Sequence, residues 1–163
     1  MIWLEASDPE AFAPERLPIW IWMGDPSFYG FPSFGVRGPK IGQDVGGPEV
    51  TGDTRTFDLD PAYTERLRGF METYLPSGAG SLIEAKSCLY TMTPDRDFVI
   101  DELPGSPGVF VGQGAAHAFK FASVIGRTLA ELAVDGRASR DIAPFAIDRP
   151  ILLMENPPTS FMV

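Results

Sequence analysis

The stretch Leu103-Pro104-Gly105-Ser106-Pro107-Gly108 leaves the backbone less freedom than any other part of this chain. Two prolines fix φ and remove hydrogen-bond donors, and two glycines favour turn conformations, so the segment must reverse direction. Compact apolar runs lie on either side, Phe98-Val99-Ile100 and Val109-Phe110-Val111. Together they predict a hairpin over Phe98 to Val111. Its second strand empties into Gly112-Gln113-Gly114-Ala115-Ala116, a small-residue loop that leads into an amphipathic helix starting near Ala118 or Phe119. Phe121, Val124, Ile125, Thr128, Leu129 and Leu132 form the apolar stripe of that helix, and Gly136 is its terminator. A strand, a glycine-bearing turn and a helix start place backbone N–H groups where they can meet electron-rich ligand atoms.

The remaining chain reads as short extended pieces around one further helix. Met1 to Leu4 and Pro18 to Met23 are strands separated by the acidic linker Ser7 to Arg16. Trp20 and Trp22 share one face of the second strand and Ile19 and Ile21 the other, which predicts a strand covered on both sides. Phe28 to Phe34 and Lys40 to Val45 form a hairpin across Gly35-Val36-Arg37-Gly38-Pro39. Gly46 to Asp58 is an exposed polar loop. Asp60-Pro61 supplies a cap and a first-turn proline for a helix whose Tyr63, Leu67, Phe70, Met71 and Tyr74 share one face, and Pro76 ends it. Leu82 to Thr93 favours extended backbone, which puts Cys88 and Tyr90 on one face of a central strand and Leu89 on the other. The expected fold class is mixed α/β with an antiparallel-rich sheet.

Composition excludes several classes of function. The chain has 163 residues, enough for a sizeable core, and 44% of them are hydrophobic against 21% charged, so general disorder is not expected. A net charge of -9 opposes nucleic-acid and anionic-membrane binding. A single cysteine cannot close an internal disulfide, no apolar run approaches the ~20 residues of a bilayer span, and Met1 to Glu5 lacks the basic start of a signal peptide. A cytoplasmic protein is expected. No metal site is expected either, because Asp95, Asp97 and Asp101 lack the glycine turn and terminal glutamate of a calcium loop.

The lone cysteine, Cys88, and the lone histidine, His117, draw attention for chemistry. By default a lone buried cysteine is a small hydrophobe and a lone lysine such as Lys40 is a solvated charge, and the rings of Trp20, Trp22, Phe28, Tyr29, Phe31 and Phe34 either line a ligand cavity or, by default, are core. A thiol hydrolase built on Cys88 and His117 explains neither Tyr29-Gly30-Phe31-Pro32 nor the residues around His117.

Taken in order, Cys88-x-Tyr90-Thr91-x-Thr93-Pro94-Asp95, Phe98-x-Ile100-Asp101 and Gly112-x-x-x-x-His117-x-Phe119-Lys120-Phe121 resemble the C-terminal half of the monomeric sarcosine oxidase and N-methyltryptophan oxidase family. The likeness extends upstream through Phe28 to Pro32 and Lys40, and downstream through Phe145-Ala146-Ile147-Asp148-Arg149-Pro150. The resemblance implies an FAD-dependent oxidoreductase that oxidises a secondary, N-methyl amino acid or amine to an imine, with oxygen reduced to hydrogen peroxide. By that resemblance Cys88 is the site of covalent flavin attachment, and Met92, Ala116, His117, Ala118, Phe119 and Lys120 face the cofactor. Lys40 is the catalytic cation of the oxygen step, and Tyr29, Asp44, Tyr90 and Lys120 hold substrate. Residues 1–85 correspond to part of the substrate domain, and 86–163 to the flavin-facing C-terminal portion that completes the FAD domain.

Three features depart from the family pattern. No Gly-x-Gly-x-x-Gly strand-helix unit opens the chain, and after Gly112-Gln113-Gly114 the third glycine position is His117, so the N-terminal Rossmann part and the grip on the AMP half of FAD are expected to be absent. Asp44 stands where the family carries a histidine, which alters the pocket field and favours an amine over a carboxylate. Ala116 and Ala118 replace the glycines that usually flank the histidine. The alternative reading is a non-catalytic truncated fragment or interaction module that needs a separate dinucleotide-binding chain. On either reading the isolated chain is expected to be inactive and to self-associate or pair with the missing portion through an exposed surface.

Overall fold

The computed structural model describes residues 1–116 and 118–158, and the chain divides into two compact units, Met1–Cys88 and Leu89–Val163. Both are built from antiparallel strands with helices, a mixed α/β fold.

In the first unit the apolar runs become strands because each finds a neighbour of matching length. Ile2–Leu4 (β1), Trp20–Trp22 (β2), Phe28–Phe31 (β3), Lys40–Gln43 (β4) and Leu82–Ala85 (β5) form one antiparallel sheet in the order β2-β3-β4-β1-β5. The register sets Lys40 opposite Trp3 on one side and Phe31 on the other, and Tyr29 opposite Gly42. Side chains alternate across a strand. Ile2, Trp20, Trp22, Phe28 and Ile41 therefore fall on one face, and Trp3, Ile21, Tyr29, Phe31 and Lys40 on the other.

The helix expected after Asp60 covers the first of these faces. In Pro61–Tyr74 (α1), the Asp60 carboxylate accepts from the Ala62 amide at 2.9 Å and Pro61 sits where a missing N–H costs nothing. Leu67 and Met71 are fully buried and pack with Ile2, Leu4, Phe12, Phe28 and Ile41. The Phe70 ring lies 4.5 Å from Phe28 and 5.7 Å from Trp20, which accounts for the aromatic side of the stripe. Burial of each large apolar side chain contributes about 1.5–3 kcal/mol, so this layer dominates the stability of the unit.

Two expectations for the first unit fail, each for a physical reason. The second strand is not covered on both faces: Ile19 and Ile21 are 62% and 65% exposed, because β2 is an edge strand and α1 reaches only the tryptophan side. The strand expected over Leu82 to Thr93 stops at Ala85. The ladder with β1 ends at Ile2 opposite Ala85, and the Met1 carbonyl takes the Lys86 amide while the Met1 amino group donates to the Lys86 carbonyl. Cys88 and Tyr90 therefore do not sit on a strand.

The second unit is organised by the predicted hairpin. Val99–Glu102 (β6) pairs antiparallel with Phe110–Gln113 (β7), and Gly105 and Gly108 take φ of 78° and 83° in the connecting turn. Ala122–Asp135 (α2) packs on the hairpin through buried Ile125 and Thr128. At Gly112 a Cβ would lie 2.9 Å from Leu129, so glycine sets how close the helix approaches. Gly136 closes α2 with φ of 68° and its N–H on Leu132, as the sequence predicts.

The start of that helix is corrected. Ala118–Phe121 is a 3-10 turn, and the α-helix begins only at Ala122, where no side chain caps it. Without an Asp, Asn, Ser or Thr at the entry the backbone tightens into the 3-10 form first. Phe121, expected in the buried stripe, is 39% exposed, although its ring meets Phe98 at 5.4 Å.

A part-buried ion pair fastens the C-terminal segment to this unit. Arg149 donates to both carboxylate oxygens of Asp95 at 2.7 and 2.9 Å, to the Phe98 carbonyl at 2.8 Å and to the Ala146 carbonyl at 3.2 Å. It precedes the single turn Pro150–Leu153 (α3). Asp101 accepts from the Ile147 amide at 2.9 Å, a second tie over the same span.

Candidate functional site

The predicted site residues fall into two groups, one in each unit. Lys40, Tyr29, Asp44 and Cys88 belong to the first. Tyr90, Met92, Ala116, Ala118, Phe119 and Lys120 belong to the second, and His117 lies outside the described residues.

In the first unit the cross-strand register builds an aromatic seat for one cation. Lys40 Nζ lies 4.7 Å from the Phe31 ring centroid, 5.3 Å from Trp3 and 5.9 Å from Tyr29. Among the described residues no carboxylate forms an ion pair with it. Burial holds the Lys40 ammonium below the usual lysine range, the Cys88 charge draws it upward and Lys86 presses it down. Lys40 is therefore not a solvated surface charge.

Gly42 fixes where Tyr29 lies. A Cβ there would fall 2.5 Å from the Tyr29 hydroxyl and ring, so the phenol crosses the open face of the sheet over bare backbone. Asp44 follows the end of β4, half-buried, with its amide on the Ser27 carbonyl at 3.0 Å. The next residue, Val45, has φ of 61°, a conformation that a β-branched residue adopts only under constraint. The constraint is visible in Gln43, whose side chain donates to the Val45 carbonyl at 2.9 Å and accepts from Arg66 at 3.1 Å. Tyr63 donates to the Gln43 carbonyl, and its phenol is pushed up to about 12, chiefly by burial and then by Tyr29. Cys88 is an exposed free thiol.

In the second unit Gln113 ties two predicted stretches together. Its amide nitrogen donates to the Thr91 carbonyl at 2.7 Å and its oxygen accepts from the Ala115 amide at 3.0 Å, so the Tyr90-to-Met92 segment is held beside the Gly114-to-Ala116 turn. Ala115 and Ala116 take φ of 44° and 73°. At Gly114 a Cβ would be 1.7 Å from that of Ala118, which only glycine avoids. An open hollow of about 310 Å³ is lined by Leu89, Thr91, Gln113, Gly114, Ala116 and Ala118. A second of about 450 Å³ is bordered by Ala118 and Phe119 and floored by Ile125 and Leu129. Phe119 is 96% exposed, Met92 is exposed, and Lys120 carries its ammonium 5.4 Å from the Phe121 ring.

Sequence reasoning missed Trp3 and Gln113 as parts of these sites. The signal for Trp3 is a register, which no local pattern reveals. Gln113 was legible only as the middle of a Gly-x-Gly without its third glycine. Among the described residues no group of three or more His, Cys, Asp or Glu is placed to hold a metal, and no helix is long and apolar enough to cross a membrane.

Comparison with known proteins adds to this geometry. The family model described as FAD dependent oxidoreductase matches residues 2–132. The monomeric sarcosine oxidase of Arthrobacter sp. strain TE1826 is 45% identical over 128 residues, covering 77% of this chain and 33% of that protein. The N-methyl-L-tryptophan oxidase of Escherichia coli O157:H7 is 33% identical over 125 residues, covering 75% and 33%. Among solved structures, the open form of NikD, an unusual amino acid oxidase of nikkomycin biosynthesis, superposes with a TM-score of 0.62 at 25% identity, over 90% of this chain and 38% of that one. The chain spans about a third of the length of the curated relatives it matches.

Proposed function

The chain belongs to the FAD-dependent oxidoreductase family, and from that premise we propose that it is the C-terminal portion of an oxidase acting on a secondary, N-methyl amino acid or amine. The observation that carries this reading is Lys40, an ammonium without a carboxylate partner among the described residues, lifted off the sheet between aromatic rings on the face that α1 leaves open. The residues present fit a flavin. An exposed thiol at Cys88 is available for a thioether, and the hollow beside Gly114 and Ala116 is of a size that takes a planar ring.

When bound, FAD would supply the redox chemistry, a sink for the hydride lost from the carbon beside the amine and a source of two electrons that, with two protons, convert oxygen to hydrogen peroxide, while water hydrolyses the imine. The chain's own residues orient and polarise. Lys40 places positive charge where oxygen gains negative charge. Tyr29, Tyr90 and Lys120 hold the substrate, and Asp44 draws its ammonium. By the family resemblance, Met92, Ala116, His117, Ala118 and Phe119 would face the cofactor, and Cys88 would tether it.

A second reading is favoured by the exposure of Ile19, Ile21 and Phe119. On that reading the chain is a non-catalytic module that pairs with a separate dinucleotide-binding chain. Purified protein separates the two. A denatured band with flavin fluorescence that disappears in Cys88→Ser, together with peroxide release from an N-methyl amino acid, supports the first. Colourless protein that takes up no added FAD refutes it and leaves the second.

A further inference from the structure

We propose that Trp3 is a positioning residue whose indole forms the seat that holds the Lys40 ammonium over the open face of the sheet. This rests on the reading of Lys40 given above, and the argument is geometric. Trp3 and Phe31 are the residues directly opposite Lys40 on its two neighbouring strands, so all three side chains leave the sheet on the same side. The ammonium stands 5.3 Å from one ring and 4.7 Å from the other, in the range where the negative face of an aromatic ring attracts a cation.

Trp3 does not belong to the α1-packed core, yet it is only 9% exposed while Ile21 on the same face is 65% exposed. Two lysine ammoniums stand over its ring. Lys86 Nζ lies 5.4 Å from the indole as Lys40 lies 5.3 Å from it, so both stems rest on the ring. The two cations differ in one respect. Lys86 is neutralised by Glu84 at 2.7 Å, and Lys40 has no such partner among the described residues. The indole thus gathers two positive charges, one cancelled locally and one presented unpaired.

The titratable groups that face Lys40 are Lys86, the Cys88 thiol and the Met1 amino group, and the largest influence on its proton affinity is burial, which lowers it. A smaller aliphatic side chain at position 3 removes the ring and admits water. The Lys40 amine then titrates higher, toward the ordinary lysine value, because loss of burial outweighs loss of the ring's attraction.

The sequence makes this directly measurable, since the chain contains three lysines, Lys40, Lys86 and Lys120. In protein carrying 13C at lysine Cε, the Lys40 signal of Trp3→Leu should titrate higher than in the parent, with Lys120 unmoved and Trp3→Phe close to the parent. An unchanged Lys40 titration in Trp3→Leu overturns the proposal. Should Trp3→Leu fail to fold, all three signals collapse to one shift and Trp3→Ile and Trp3→Phe decide by the same titration. In flavin-loaded protein, Trp3→Leu should lower the rate constant with oxygen about tenfold, equivalent to ~1.4 kcal/mol, while amine oxidation under anaerobic conditions changes by less than about twofold. Equal loss in both half-reactions identifies a merely structural residue and overturns the proposal. Protein that takes no flavin refutes the oxidase reading instead, and the lysine titration still decides the role of Trp3.

Discussion

Replacing Arg149 by methionine isolates the ion pair that fastens the C-terminal segment to the second unit. The guanidinium is 10% exposed and the Asp95 carboxylate 16%, and the two meet through paired hydrogen bonds at 2.7 and 2.9 Å. The same group serves the carbonyls of Phe98 and Ala146. Arg149→Met keeps much of the stem but leaves a largely buried carboxylate without its counter-charge, which costs about 3–5 kcal/mol. That loss is comparable with the ~5–15 kcal/mol that holds a small domain folded. All three tryptophans, Trp3, Trp20 and Trp22, lie in the first unit, so tryptophan fluorescence is blind to this change. Hydrogen exchange read by mass spectrometry on peptides covering 93–101 and 142–150 is the suitable assay. Protection there should fall by about a hundredfold or more, since each ~1.4 kcal/mol is a factor of ten, while peptides of α1 keep theirs. A double-mutant cycle with Asp95→Asn should show a coupling of about 2 kcal/mol or more. Protection reduced by less than about tenfold, or strict additivity in the cycle, refutes the claim that this pair is the fastening.

The same pair makes the second unit acid-sensitive. Arg149, then the Asp97 amide, hold the Asp95 carboxyl below the usual carboxylate range despite its burial, so its stabilisation is complete above the unfolded value of about 3.9 and is lost as pH falls through the lower folded value; exchange at 93–101 should rise over that window and not in Asp95→Asn. Tyr63 acts in the opposite sense on the first unit. Its phenol is raised to about 12, so its contribution is intact below the unfolded value of about 10 and disappears as pH rises through the folded one; tryptophan emission should report alkaline loosening there that Tyr63→Phe removes. Val45→Gly relieves a left-handed φ of 61° and should raise the urea midpoint of the first unit by an amount equivalent to about 1 kcal/mol, with an unchanged midpoint showing that no strain is held there. Leu67→Ala, at a fully buried position of α1, should cost about 2.7–5 kcal/mol in the same titration, and a loss below about 1 kcal/mol would mean that the α1 layer is not the core of the unit.

Parts of this fold were legible before any coordinates. Asp60-Pro61 announced α1, Gly136 the end of α2, and Leu103 to Gly108 the β6–β7 turn, because capping and turn chemistry act within a few residues. The motifs around Cys88, Phe98 and His117 carried the family. What stayed hidden depended on partners distant in sequence. The strand expected beyond Ala85 ends where its ladder with β1, more than eighty residues earlier, ends. The apolar face of Ile19 and Ile21 is open because β2 lies at the edge of the sheet.

The sequence by itself determined where α1 begins, where α2 ends and where the chain reverses between β6 and β7, since these choices are settled by local sterics, capping and turn chemistry. It also determined the family, through several motifs in order. Tertiary structure alone decided that Trp3 and Phe31 flank Lys40, that Gln113 joins Thr91 to Ala115, and that Arg149 meets Asp95. Each of those depends on strand register or on chain closure between segments far apart, and a shift of one residue in register would send every side chain of the strand to the other face. An ordinary lysine becomes a partly desolvated cation, with no carboxylate partner among the described residues, only once the sheet has closed around it.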